Sequence, residues 1–152
     1  MAELRNGYVV GVFAIVINMK VFISTSAAFY DRVGPIISSL KSNGHEVIPP
    51  NGYRDRFDES EIRKEGGHQQ WKERMLRQDI ELVTSCDAIL VLNYEKNGQI
   101  NYVGASAFLE MFKAFELNKK RYILNPLPEG GYSDELIGMD PYVINGDLSL
   151  IK

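Results

Sequence analysis

The chain has 152 residues, 45% hydrophobic and 24% charged, the composition of one ordinary globular domain with enough length to bury a core. With 17 Lys and Arg against 20 Asp and Glu, the net charge is −3, which offers no general attraction to a polyanion. The basic clusters, Lys119-Lys120-Arg121 and Lys72, Arg74 and Arg77, read as solvated helix surface, so a nucleic acid polymer is excluded as partner while a single nucleotide stays open as ligand.

In chain order, the first feature is an apolar run from Tyr8 to Ile17. It is too short to span a bilayer and lacks the basic flank and cleavage site of a signal peptide. Two readings stay open for residues 1–18: an extra strand or helix packed on the domain, or an upstream extension before an older start at Met19. Lys20 to Ser24 (KVFIS) predicts a strand ending in the polar turn Ser24-Thr25-Ser26. Phe29 to Ser42 places Val33, Ile36, Ile37 and Leu40 at helical period, and Asn43-Gly44 stops it. His45 to Ile48 predicts a second strand closed by Pro49-Pro50. The stretch 51–67 is polar and unpatterned, a long loop of the kind that is commonly functional.

Gln69 to Ser85 repeats apolar residues at Trp71, Met75, Leu76, Leu82 and Val83, a third element of helical period. Cys86, the lone cysteine, is better read as a small core residue than as a nucleophile. One cysteine permits no intrachain disulfide, which fits a reducing, cytoplasmic setting. The two histidines, His45 and His68, have no Cys/His ligand spacing, so no metal is expected. Asp87 to Leu92 (DAILVL) predicts a central strand covered on both faces. A turn-rich stretch follows to Asn101, then a helix from about Gly104 to Leu117, a strand from Arg121 to Leu124 ended by Asn125-Pro126, a short helix over Ser133 to Met139 and a strand over Tyr142 to Ile144.

Strands alternating with helices predict an α/β protein: three layers, a doubly wound, mostly parallel five-stranded sheet of flavodoxin-like or Rossmann-like type, one domain over 19–152 with an added N-terminal element. Ligands of such sheets bind beyond the C-terminal strand ends. That rule points to the Ser24–Ser26 turn, the loop after Pro49, the loop after Asn93, and Asn125-Pro126.

Two carboxylates stand out. Asp79 falls in the apolar stripe of its helix, four residues after Met75 and just before Leu82 and Val83. A carboxylate there needs a partner or a task, unless it reaches solvent or caps a neighbouring loop. Glu110 shares a face with Ala107, Ala114 and Leu117, small neighbours that leave room for a ligand, although most helical glutamates are surface residues. Glycine-rich phosphate fingerprints are missing after the first strand. The hydroxyls and amides of Ser24 and Ser26 could hold a phosphate or sugar hydroxyl, or simply form a turn and helix cap.

Three segments in order resemble the nucleoside 2-deoxyribosyltransferase-like family, which includes the 2′-deoxynucleoside 5′-phosphate N-hydrolases. They are the strand and polar turn VFISTSAAFYDR, the helical aspartate eight residues before a strand-opening aspartate in RQDIELVTSCDAILVL, and GASAFLEMFKAFELNKKRYILNP. Together they span Met19 to about Pro128. The resemblance implies an N-glycosidic hydrolase or transferase acting on a nucleoside or nucleotide without a cofactor. Glu110 would be the nucleophile, ionised at neutral pH beside a helix N-terminus, and Asp79 would assist protonation of the base or hold the sugar. Tyr30 or Asp31 would line the sugar or base side, Ser106 would touch a 5′-phosphate or hydroxyl, and Ser24, Ser26 and Asn93 would complete the substrate contacts. The resemblance also implies a homo-oligomer; the aromatic residues Phe108, Phe112 and Phe115 suggest either its contact or plain core. Two departures weigh against the transferase branch: no carboxylate in Asn101-Tyr102-Val103-Gly104, and Phe112 where the family has glycine. The rival reading is a non-catalytic nucleotide-binding or interaction module on the same scaffold.

Overall fold

A computed structural model of the protein describes residues 18–152. Strand β1 (Lys20–Thr25) leads through a 3-10 turn (Ala27–Arg32) into helix α1 (Val33–Ser42), and β2 is Glu46–Ile48. Helices α2 (Glu59–Glu65) and α3 (His68–Ser85) precede β3 (Ala88–Leu92), α4 (Ala105–Glu116) and β4 (Lys120–Ile123). Helix α5 (Ser133–Gly138) and β5 (Tyr142–Val143) close the sheet.

The five strands pair in the order β2-β1-β3-β4-β5, every pair parallel. This is the doubly wound order of flavodoxin-type sheets, with its switch point between β1 and β3. The alternation of side chains along β1 sorts the core into two layers. Val21 and Ile23 face α1 with Val33, Leu40 and Leu90, whereas Phe22 faces the other layer with Val83, Ile89, Val91 and Met111. All five residues of β3 are buried, as a strand covered on both faces requires. The same alternation puts Ser24, two residues after Phe22, on the α3/α4 side at the end of β1.

The stretch 51–67 is not a plain loop, since α2 forms within it. None of its residues is buried, which is why hydrophobic periodicity gave no sign of it. The Asp58 side chain accepts from the backbone N–H of Ser60 and Glu61 at 2.9 and 3.3 Å, and Glu59–Arg63 and Glu61–Lys64 pair along its surface. Gly66 and Gly67, both at positive φ, end it and start α3. The helix expected from Phe29 begins instead at Val33, because Ser26 caps the intervening 3-10 turn through Ala28 N–H. Strand β4 starts one residue earlier than expected, and β5 stops one residue short of the buried Ile144. The extension expected over residues 1–18 lies, except for Asn18, outside the described residues. Among the described residues, no helix is long and apolar enough to cross a membrane.

Candidate active site

At the switch point, beyond the C-terminal ends of β1 and β3, lies a hollow of about 300 Å3. Its floor is acidic. Asp79 from α3 and Glu110 from α4 both line it, and each is only 8% exposed. Their carboxyl groups are near enough to share a hydrogen bond. Beneath them the buried Ser24 hydroxyl donates to Glu110 Oε2. From the loop after β2, Asn51 Nδ2 donates to Asp79 Oδ1 at 2.9 Å. The Tyr30 hydroxyl donates to the Asn51 carbonyl at 2.6 Å, so the chain of polar contacts runs Tyr30, Asn51, Asp79, Glu110, Ser24.

The electrostatics follow from this packing. Burial, then the Asp79 charge, drives the Glu110 carboxyl well above the ordinary carboxylate range, with only the Ser24 hydroxyl pulling the other way. Burial also raises Asp79, but donation from Asn51, donation from Glu110 and the charge of Lys72 hold it back. Two buried carboxyls in contact cannot both ionise readily, so the pair holds on to a proton more tightly than free carboxylates do, Glu110 more strongly raised than Asp79. Burial and the neighbouring charge thus work against the ionised Glu110 that the sequence led us to expect. The helix N-terminus does not rescue the anion, because α4 begins at Ala105 and the dipole's effect fades within the first turn. Tyr30 is pushed up to about 12, first by burial and then by the charges of Glu110 and Asp79, with Arg56 opposing. It therefore acts as a hydrogen-bond donor across the neutral range.

The walls differ in chemistry. One is aromatic and apolar: Phe57 and Trp71 line it with ring centroids 4.9 Å apart, and Met75 and Leu76 continue it. Gly52, at φ +82, lets the chain turn there, since a Cβ would collide with the Phe57 ring. The opposite wall is polar, formed by Ser26, Lys96 and the first turn of α4 from Gly104 to Ala107. Lys96 Nζ donates to Ser26 Oγ at 3.2 Å and lies 4.8 Å from the Tyr102 ring centroid. Glu59 and Lys72, paired at 3.0 Å, close the rim beside Trp71.

Of the expected site residues, Glu110, Asp79, Ser26, Tyr30 and Ser106 line this hollow, and Ser24 supports it from below. Two lie elsewhere. The Asp31 side chain is almost fully exposed and pairs with Arg56 at 3.9 Å. Asn93 is a buried brace: its Nδ2 donates to the carbonyls of Asn125 and Pro126 at 3.1 and 2.9 Å, and its Oδ1 accepts from Asn125 N–H at 2.8 Å. It joins the ends of β3 and β4 and leaves nothing for a ligand. Asn51, Lys96 and the Phe57–Trp71 wall were not expected. The sequence held a faint sign of the last, an aromatic at each end of the stretch 57–71, but Asn51 follows Pro49-Pro50 and precedes Gly52 as any turn residue would.

A second hollow of about 320 Å3 opens between α3 and α4. It shares Leu76, Asp79, Ser106 and Glu110 with the first, so the acid pair is the partition between them. Its mouth is apolar, with Ile80, Leu109 and Phe112 about half exposed. The expected aromatic face of α4 splits: Phe108 turns inward onto Tyr132 at 4.5 Å, while Phe112 and Phe115 face outward. Among the described residues, no group of three or more His, Cys, Asp or Glu is placed to hold a metal ion. In comparison with known proteins, no family model matches the chain and no curated protein matches it.

Proposed function

We propose that this protein cleaves the N-glycosidic bond of a (deoxy)nucleoside or nucleoside 5′-monophosphate, as a hydrolase or transferase with Glu110 as nucleophile. One observation carries the reading: two buried acids from different helices meet on the floor of a hollow with an aromatic wall and a polar wall. The fold and the segments spanning Met19 to Pro128, with their likeness to the nucleoside 2-deoxyribosyltransferase-like family, agree with it.

In this mechanism the base stacks along Phe57 and Trp71, the sugar lies over the acids, and the 5′ substituent faces Ser26, Lys96 and Ser106. The proton of Glu110 passes to Asp79 across their hydrogen bond. The freed Glu110 carboxylate bonds to C1′ as the C1′–N bond breaks, and Asp79 gives its proton to the departing base nitrogen. Water then attacks C1′, its proton goes to Asp79, and the Glu110–C1′ bond breaks with its electron pair returning to the carboxylate. A second base in place of water makes the same site a transferase. The chemistry uses no cofactor, and we place the protein in a reducing cytoplasm. We further propose that a second copy of the chain covers the exposed Ile80, Leu109 and Phe112 and closes the second hollow. Phe112→Glu is then expected to lower the mass measured by light scattering to that of a monomer.

The test is base release from a panel of deoxynucleosides and deoxynucleoside monophosphates. Wild type is expected to release base from at least one, and equal release by wild type and Glu110→Ala sinks the reading. One feature favours a second reading, a nucleotide-binding module without turnover: burial and the Asp79 charge raise the hold of Glu110 on its proton, and a protonated carboxyl is a poor nucleophile. Such a module binds nucleotide with the same affinity after Glu110→Gln and releases no base.

A further inference from the structure

We propose that Asn51 is a positioning residue that sets the division of labour between the two acids: its side-chain amide, fixed against Asp79 Oδ1, keeps Asp79 as the proton acceptor and Glu110 as the proton carrier. The assignment of chemical roles rests on the N-glycosidic reading, whereas the placement of the proton does not.

The geometry leaves little freedom. Asn51 Nδ2 lies 2.9 Å from Asp79 Oδ1, 3.3 Å from the Met75 carbonyl and 3.3 Å from Gln78 Oε1. All three neighbours are oxygen acceptors, so the amide nitrogen, and not its oxygen, must face α3. The Asn51 main chain is pinned independently by the Tyr30 hydroxyl. A donor this placed stabilises the ionised form of Asp79. Glu110 has one donor of its own, Ser24, and otherwise meets Asp79.

The other polar groups around the pair are engaged elsewhere or stand off: Thr25 donates to the Leu92 carbonyl, Tyr102 lies under Lys96, and Lys113 and Glu116, on the side of the second hollow, pair with each other. On α3, Lys72 adds positive charge near Asp79. Tyr30, from the 3-10 turn, directs its proton to Asn51 and not to either acid. Ser106 of α4, Ser26, Lys96 and Glu59 line the same hollow without a side-chain bond to the pair. Asn51 is thus the one side chain of the 51–67 stretch that hydrogen-bonds to a member of the Asp79–Glu110 pair. It ties the position of that stretch to the state of the site.

The consequence is chemical. When the proton crosses from Glu110 to Asp79, the Asn51 donor leaves Asp79 a stronger acid than burial alone would, ready to pass the proton to the leaving base. Without Asn51, Asp79 keeps the proton more tightly and releases it at higher pH.

The experiment is a pH titration of the full-length protein carrying carboxyl-13C aspartate and glutamate, without substrate, for wild type, Asn51→Leu, Asn51→Asp and Asn51→Gln. In Asn51→Leu the apparent pKa values of the Asp79–Glu110 pair are expected to rise by about one unit or more, the effect of losing a hydrogen bond to a charged acceptor. Asn51→Asp, of the same shape, is expected to move them in the same direction, and Asn51→Gln to restore the wild-type profile at least in part. Far-ultraviolet circular dichroism and melting curves identify which variants are folded. A folded Asn51→Leu or Asn51→Asp whose pair titrates as wild type overturns the proposal. Because no substrate is present, this outcome is separate from the base-release assay: loss of the glycosidase reading with a displaced titration still supports Asn51 as the residue that places the proton.

Discussion

The two ends of the sheet handle charge in opposite ways. At the N-terminal ends of the strands, charged side chains are spent on main-chain groups. Asp87 Oδ2 accepts from Lys20 N–H at 2.8 Å, Lys119 Nζ donates to the carbonyls of Thr84 and Cys86, and Arg121 Nε donates to the Met139 carbonyl at 2.7 Å. His45 bridges the Met19 N–H, which donates to its Nδ1, and the Ile151 carbonyl, which faces its Nε2. At the C-terminal ends, two acids are buried against each other with one donor apiece. Stitching of the first kind adds to stability, whereas the second opposes it. Proteins keep such opposition where it serves a task.

The sharpest way to break the contrast is Glu110→Gln. The amide still accepts from Ser24 and donates to Asp79 while removing the shared proton. Base release is expected to fall by at least about 10⁴-fold, and stability at pH 7 is expected to rise by about 1 kcal/mol, or about 2–4 °C in Tm. A lower Tm would show that the pair stabilises the fold. The pH dependence has a definite sign. Both acids bind their proton more tightly folded than unfolded, so their contribution is complete below the ordinary carboxylate range. It is lost as pH rises from about 4 through the raised values. Urea melts across that range are expected to show wild type losing stability with rising pH and Glu110→Gln losing less.

Asp79→Asn comes next, with an expected loss of about 10³-fold in turnover and disappearance of one limb of the pH–rate profile. Trp71→Ala is milder, weakening substrate by about tenfold, the order of one base–aromatic stack. The smallest effect lies at the other end. Asp87→Ala should cost about 0.5–1.5 kcal/mol in denaturant melts, one main-chain hydrogen bond, and leave base release unchanged. A drop in turnover there would erase the separation between the two ends.

Much of the fold was legible because it rests on local signals. β3 is apolar throughout, α1 and α3 carry helical stripes, and Asn43-Gly44 marks a helix end. Helix α2 was not, because it buries nothing and is held by a cap and ion pairs that a charged stretch does not advertise. In the site, Asp79 was conspicuous as a carboxylate inside an apolar stripe. Asn51 was hidden, since its value comes from a 2.9 Å contact across 28 positions of sequence. Asn93 misled in the opposite sense: an asparagine after a central strand sits where ligands bind in such sheets, yet its amide is consumed in bracing β4. The raised proton affinity of Glu110 was equally beyond the sequence, because it depends on how deeply α4 seats that side chain.

The most direct test of the account is a rapidly quenched reaction of the protein with a substrate from the panel, followed by peptide mass spectrometry. The account predicts a sugar adduct on the peptide containing Glu110, formed before free base reaches its steady rate and absent from Glu110→Gln. Base release at full rate with no adduct at Glu110, or undiminished in Glu110→Gln, would contradict it.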